Sequence, residues 1–121
     1  MTSRKVFMHE YPITSEIIRV AEEHAANYQA KKVLKITLVI GDESGFIGDS
    51  IEMYFEEIGK GTLCEGASIS IEYIKPKLEC TACGELFERG LLSFKCPLCG
   101  GMGKPTSIGR EFYMKSIEVE T

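Results

Sequence analysis

Four of the chain's five cysteines form two copies of one pattern, Cys80-Thr81-Ala82-Cys83-Gly84 and Cys96-Pro97-Leu98-Cys99-Gly100, with 12 residues between the inner pair. Each Cys-x-x-Cys turn brings two sulfurs close enough to share one ion. The glycine after each second cysteine takes the positive φ that bends backbone N–H groups toward the thiolates. This spacing predicts a closed metal site with Cys80, Cys83, Cys96 and Cys99 as ligands and tetrahedral Zn(II) as the favoured occupant. Four thiolates leave no coordination position open, so such a site holds a loop together and catalyses nothing. Iron also accepts four thiolates, and Cys-Pro-x-Cys-Gly resembles a rubredoxin knuckle, but the short spacer and the lack of a surrounding aromatic core favour zinc. Paired disulfides would need an oxidising compartment, and no apolar signal segment directs the chain to one.

The 121 residues, 44% of them hydrophobic, suffice for a modest core, and a metal staple suits a segment that cannot build its own. The net charge is −4. Around the knuckles Lys75, Lys77, Arg89, Lys95 and Lys104 are offset by Glu79, Glu85 and Glu88. That balance argues against a nucleic-acid partner. No run of 18 apolar residues exists to span a membrane, and a cytoplasmic location is expected.

Ile13, Ile17, Val20, Ala21, His24 and Tyr28 recur at helical spacing, which predicts an amphipathic helix opening at Pro12. His24 falls on its apolar face, as a half-buried histidine. Val33 to Ile40 alternates as a strand, with Leu34, Ile36, Leu38 and Ile40 on one face. A loop from Gly41 to Gly48 follows, with Asp42 and Glu43 as a solvated turn. It has no P-loop lysine. Asp49 and Glu52 have capping-box spacing for a second helix that buries Ile51, Tyr54, Phe55 and Ile58 and stops at Gly59. Cys64 reads as a small buried hydrophobe. Ala67, Ile69, Ile71 and Tyr73 form another alternating strand, ended by Pro76. After the knuckles, Phe112 and Met114 alternate in one phase and Ile117 and Val119 in the other. The slip near Lys115-Ser116 predicts a bulge or a strand buried on both faces. The fold class expected is α+β: a small domain of two helices and a three-stranded sheet, residues 8–75 plus 110–121, with a four-cysteine zinc ribbon inserted over residues 76–109. Residues 1–7 read as a disordered leader or an upstream start.

Ahead of the first helix stands Met8-His9-Glu10. Together with a strand ending Ile40-Gly41, the segment Gly61-Thr62-Leu63-x-Glu65-Gly66-Ala67, the two knuckles and Ile117-Glu118-Val119-Glu120, it makes the chain resemble the HypA family of hydrogenase maturation proteins over residues 8 to 120. The resemblance implies a nickel metallochaperone, not an enzyme, that delivers Ni(II) to the [NiFe]-hydrogenase active site. It implies structural Zn(II) in the ribbon and transient Ni(II) at Met8, His9 and Glu10. The implied partners are a HypB-type GTPase and the hydrogenase large-subunit precursor. The chemistry agrees, because Ni(II) takes square-planar nitrogen sets and His9 offers an imidazole beside its own amide. Some family members add a carboxylate from the loop that here holds Asp42, Glu43 and Asp49. For Asp49 a helix N-cap is the stronger expectation. Seven residues precede Met8 and turn its amine into an amide. A zinc-ribbon adaptor that binds protein or nucleic acid, without labile nickel, is the competing class.

Overall fold

The computed structural model describes residues 3–90 and 93–121, with side chains described from Glu10 onward. In chain order the elements are α1 (Ser3–Asn27), β1 (Lys32–Gly41), α2 (Gly48–Ile58), β2 (Ser68–Ile74), β3 (Leu78–Cys80), β4 (Leu86–Phe87), β5 (Gly103–Pro105) and β6 (Phe112–Glu120). Of residues 1–7, expected as a disordered leader or an upstream start, the backbone of residues 3–7 is helical within α1, and residues 1–2 lie outside the described residues.

β1 is the apolar centre of the larger sheet, whose order is β2-β1-β6. It runs parallel to β2 and antiparallel to β6. Parallel neighbours need a crossover, and α2 supplies it. Ile36, Leu38 and Ile40 of β1 are fully buried against Ile17, Ala21 and Ala25 of α1 and Ile51 and Phe55 of α2. Each side chain of that size contributes about 1.5–3 kcal/mol when removed from water, so this face dominates the stability of the fold. The second sheet, β4-β3-β5, has a far smaller core of Leu78, Cys80, Phe87 and Cys96. The chain is therefore α+β, with a cysteine-bearing ribbon inserted between β2 and β6.

Four local expectations change. α1 does not start at Pro12 but contains it; there the proline removes the hydrogen bond its N–H would have given to residue 8 and its ring crowds that carbonyl, a local cost the helix bears. Tyr28 is exposed rather than inward, because α1 ends at Asn27 and Gln29 turns to φ 55. Leu34 is also exposed while Val33 is buried, because the β1–β6 register shifts between Val33 and Lys35. One extra residue reverses the phase of the strand. Asp49 does not cap α2: the N-cap is Ile47, which makes no side-chain cap bond, and Asp49 lies in the first turn. Its charge still suits the positive end of the helix.

The bulge expected at Lys115-Ser116 is present, since Leu38 pairs with Met114 and Thr37 with Ser116, leaving Lys115 over. Where the ribbon joins the sheet, Asp42 N–H donates to the Ile74 carbonyl at 2.9 Å and Glu43 N–H to the Gly109 carbonyl at 2.7 Å. Thr106 Oγ1 donates to the Lys77 carbonyl at 2.7 Å. These bonds fix both strands of the junction against the end of β1.

Candidate metal centres

The two knuckles fold alike because their sequences are alike. Gly84 N–H donates to the Cys80 carbonyl at 3.0 Å and Gly100 N–H to the Cys96 carbonyl at 2.9 Å. Both glycines sit at φ 78, where a side chain would be strained. Each first cysteine then receives backbone donors on sulfur: Ala82 and Cys83 N–H on Cys80 Sγ, and Leu98 N–H on Cys96 Sγ, all at 3.4 Å. β3 sets Cys80 in place, and the Cys96 N–H bond to the Gly101 carbonyl, 2.8 Å, sets the second knuckle.

The four Sγ atoms lie within 4.8 Å of one another, and among the described residues this is the only cluster of three or more such donors. Cys80 and Cys99 sulfurs are 3.4 Å apart and those of Cys83 and Cys96 3.8 Å. A tetrahedron of sulfurs each about 2.3 Å from one ion needs edges of about 3.8 Å, so the quartet fits a metal of that size. Cys80 and Cys96 are buried while Cys83 and Cys99 are exposed, which gives an ion a route in.

The electrostatics point the same way. The Cys83 N–H, opposed by burial and helped by the Ala82 N–H, holds the Cys80 thiol down at about 6. At Cys83 the Glu85 N–H favours the thiolate, yet Cys99, burial and the other sulfurs outweigh it and push the thiol up to about 12. One thiolate forms readily, and further ones in the same space need a cation.

Gly101 belongs to this site, although in sequence it reads only as part of a flexible glycine stretch. A Cβ there would lie 2.8 Å from Cys80 Sγ, 2.9 Å from Ala82 Cβ and 3.3 Å from Cys99 Sγ. Gly101→Ala is expected to loosen metal binding about 10-fold by displacing a ligand sulfur, in line with changes around a ligand shell. Competition with a chromogenic chelator measures it. Unaltered competition would show that the knuckles yield freely.

The second candidate group is only partly in view. Met8 and His9 are on α1, but their side chains lie outside the described residues. Glu10 is described and is 1% exposed. Its carboxylate reaches the start of α2, where Oε2 accepts the Ile47 N–H at 3.2 Å. Oε1 is buried without a hydrogen-bond partner. Thr14 Oγ1 donates to the Glu10 carbonyl, and Tyr11 meets Tyr54 edge-on with ring centroids 5.3 Å apart. The start of the chain is thus tied to α2 through a glutamate whose sequence signal was only its place beside His9. No pattern marks Ile47 as its partner. Asp42 and Glu43 are exposed on the loop after β1, and Asp49 is exposed in the first turn of α2. His24 is half-buried and packs at a tilt against Tyr28 with centroids 5.0 Å apart. Cys64 is buried, and burial pushes its thiol up to about 11, as suits a packed rather than a reactive group.

Fold and site together define a small α+β protein that carries a thiolate metal centre in an inserted ribbon. Residues 8–119 match the family described as hydrogenase/urease nickel incorporation, metallochaperone, hypA, and the chain belongs to the HypA family. It is 40% identical over 114 residues to the hydrogenase maturation factor HypA of Caldanaerobacter subterraneus subsp. tengcongensis, covering 93% of this chain and 100% of that one. The Geobacter metallireducens factor of the same name is 41% identical with the same coverage. Among solved structures, that of the Ni metallochaperone HypA from Helicobacter pylori superposes with a TM-score of 0.61 at 30% identity, covering 92% of this chain and 97% of that chain. A second HypA solution structure gives a TM-score of 0.67 at 30% identity, covering 93% and 96%. Among the described residues no helix is long and apolar enough to cross a membrane.

Proposed function

We propose that this protein carries Ni(II) at Met8-His9-Glu10 for insertion into the [NiFe]-hydrogenase active site, while Cys80, Cys83, Cys96 and Cys99 hold a structural Zn(II). The observation that carries the division of labour is the gathering of the quartet: four sulfurs within 4.8 Å of one another supply every ligand a tetrahedral ion takes and leave no coordination position open. A carrier must release its ion to a recipient. An open site at the start of the chain suits that role, and a thiolate cage suits permanence.

At the nickel site His9 supplies its imidazole and its amide, and Glu10 its amide. The Glu10 carboxylate is engaged with the Ile47 N–H, so it serves to hold the segment against α2 rather than to bind cargo. Helical amides point at carbonyls four residues back, so nickel coordination by amides displaces those bonds and unwinds the start of α1. Pro12 lowers the cost, because it has already removed one bond from that stretch. The partners that fit are a HypB-type GTPase and the hydrogenase large-subunit precursor, met in the cytoplasm, with neither nucleic acid nor membrane involved. The protein acts as a carrier and not as an enzyme.

Metal analysis of wild-type, His9→Ala and Glu10→Gln protein after nickel loading tests this. We expect one labile nickel in the wild type, at least 100-fold weaker binding in His9→Ala on the loss of an anchoring ligand, about 10-fold or less for Glu10→Gln, and full zinc in all three. Retention of nickel by His9→Ala would move the cargo site elsewhere. An adaptor protein would instead be indifferent to His9→Ala and lose its activity on Cys96→Ala. A chain beginning at Met8 should bind nickel more tightly than one beginning at Met1 and show a changed d–d spectrum, because a free amine adds a nitrogen. Equal spectra would remove the amine from the coordination set.

A further inference from the structure

We propose that the free edge of β2 receives an extended segment of another protein as an added strand, one with lysine or arginine at alternate positions whose basic side chains seat beneath α2. β2 is an edge strand: β1 holds one side, and among the described residues no strand pairs with the other. Asp42 N–H donates to the Ile74 carbonyl at 2.9 Å, so Ile74 turns its backbone groups toward β1. Alternation then leaves the N–H and C=O groups of Ile69, Ile71 and Tyr73 facing outward, with no strand to receive them. Main-chain bonds to such a row give an extended peptide its affinity, and pockets for its alternate side chains give specificity.

A pocket lies beside this edge. α2 leans over β2: a Cβ on Gly48 would strike Tyr73 Oη and Ile71 Cδ1. Further along α2 a cavity of about 340 Å³ opens between helix and strand, lined by Phe55, Ala67 and Ile69 and by the exposed residues Glu52, Glu56 and Glu65. Glu52 and Glu56 stand one turn apart on the same helix face. Glu65 Oε1 accepts the Gly61 N–H at 2.8 Å, and among the described residues no cation pairs with any of the three. The field has the same sign at the far end of β2, where burial, and then Asp49, Glu52 and Asp42, raise the Tyr73 hydroxyl above its ordinary range. A residue of the added strand opposite Ile69 shares its face and so points under α2. A lysine or arginine there lays its apolar stem along Phe55 and Ile69 and presents its charge to Glu52 and Glu56. Acidic segments are repelled, and a second copy of this chain would bring its own acidic flank to the same edge, so the charge selects a basic partner.

Fluorescence anisotropy of a labelled peptide of about eight residues, alternating lysine and threonine, tests the pairing when read together with residue-resolved amide exchange of this protein. We expect saturable binding that slows the amides of Ile69, Ile71 and Tyr73, while those of Ser70 and Glu72, already turned to β1, stay constant. The same peptide with its amides N-methylated keeps its charge but loses its donors, and should bind at least about 10-fold more weakly. Glu52→Lys combined with Glu56→Lys changes two exposed positions without loss of fold, and should weaken binding of the unmethylated peptide about 10-fold. Undiminished binding of the methylated peptide, slowing of none of the three amides, or indifference to the two lysines would each overturn the proposal. Slowing that follows protein concentration without any peptide would overturn it too, by making a second copy the occupant.

Discussion

Cys80→Ser is expected to strip the ribbon of its metal and to unfold residues 78–105 while leaving the β2-β1-β6 sheet intact. The ribbon's core consists of Leu78, Cys80, Phe87 and Cys96, and two of these belong to the sulfur quartet. Burying Leu78 and Phe87 contributes about 3–6 kcal/mol together, against about 1–2 kcal/mol of backbone entropy for every residue ordered. A structural zinc site contributes about 10–16 kcal/mol of apparent binding energy near neutral pH, so the metal decides whether this segment folds. The larger core, with Ile36, Leu38, Ile40, Ile51 and Phe55, does not depend on it. Metal content and residue-resolved amide exchange report the two effects separately. Protection retained across Leu78–Cys80 and Gly103–Pro105 in the metal-free variant would refute the dependence.

Acid should reach the same state by another path. The folded environment lowers the Cys80 thiol from its ordinary value of 9.0 to about 6. A depressed thiol stabilises the fold above its ordinary pKa, and that contribution is lost as pH falls through the folded value. Protons also compete with the ion for all four sulfurs. Metal release is therefore expected on acidification, in step with loss of ribbon structure, and metal content followed along a pH titration checks it.

Gly41→Ala should lower global stability by about 3 kcal/mol, the upper end of what overpacking usually costs, and the melting temperature by about 10 °C. A Cβ at position 41 would lie 2.7 Å from Arg110 N and closer still to the carbonyl carbon and oxygen of Gly109. All three are backbone atoms, so no side-chain rotation relieves the contact. Gly109 cannot retreat, because it sits at φ 106 and its own Cβ position is 2.7 Å from Pro76 Cα. The three segments that meet here are the end of β1, the chain entering the ribbon and the chain leaving it. The ribbon metal should be retained in this variant, since the strain is at the junction and not at the sulfurs. A melting temperature within 2–3 °C of wild type would show that the junction has slack.

Repetition of the Cys-x-x-Cys-Gly knuckle was enough to identify the thiolate site, because four sulfurs at that spacing and two glycines with positive φ determine a local geometry that distant residues do not need to supply. The apolar alternation in β1 and the phase slip at Lys115 were legible for a related reason: strand periodicity is a property of neighbouring residues. Leu34 misled because its phase depends on a register shift against β6, which is a fact about two strands.

Glu10 marks where sequence stops. Its place beside His9 ties it to the segment proposed to carry nickel, but its burial and its bond to Ile47 follow from α1 packing across the start of α2, 37 positions away. Gly101 is similar, an unremarkable glycine until two knuckles close on it. The edge of β2 is the third case, since a strand's free side exists only once the sheet order is known. Local spacing determined the metal-binding chemistry of this protein; the assembly of segments distant in sequence decided which neighbours constrain that chemistry and which surface is left open.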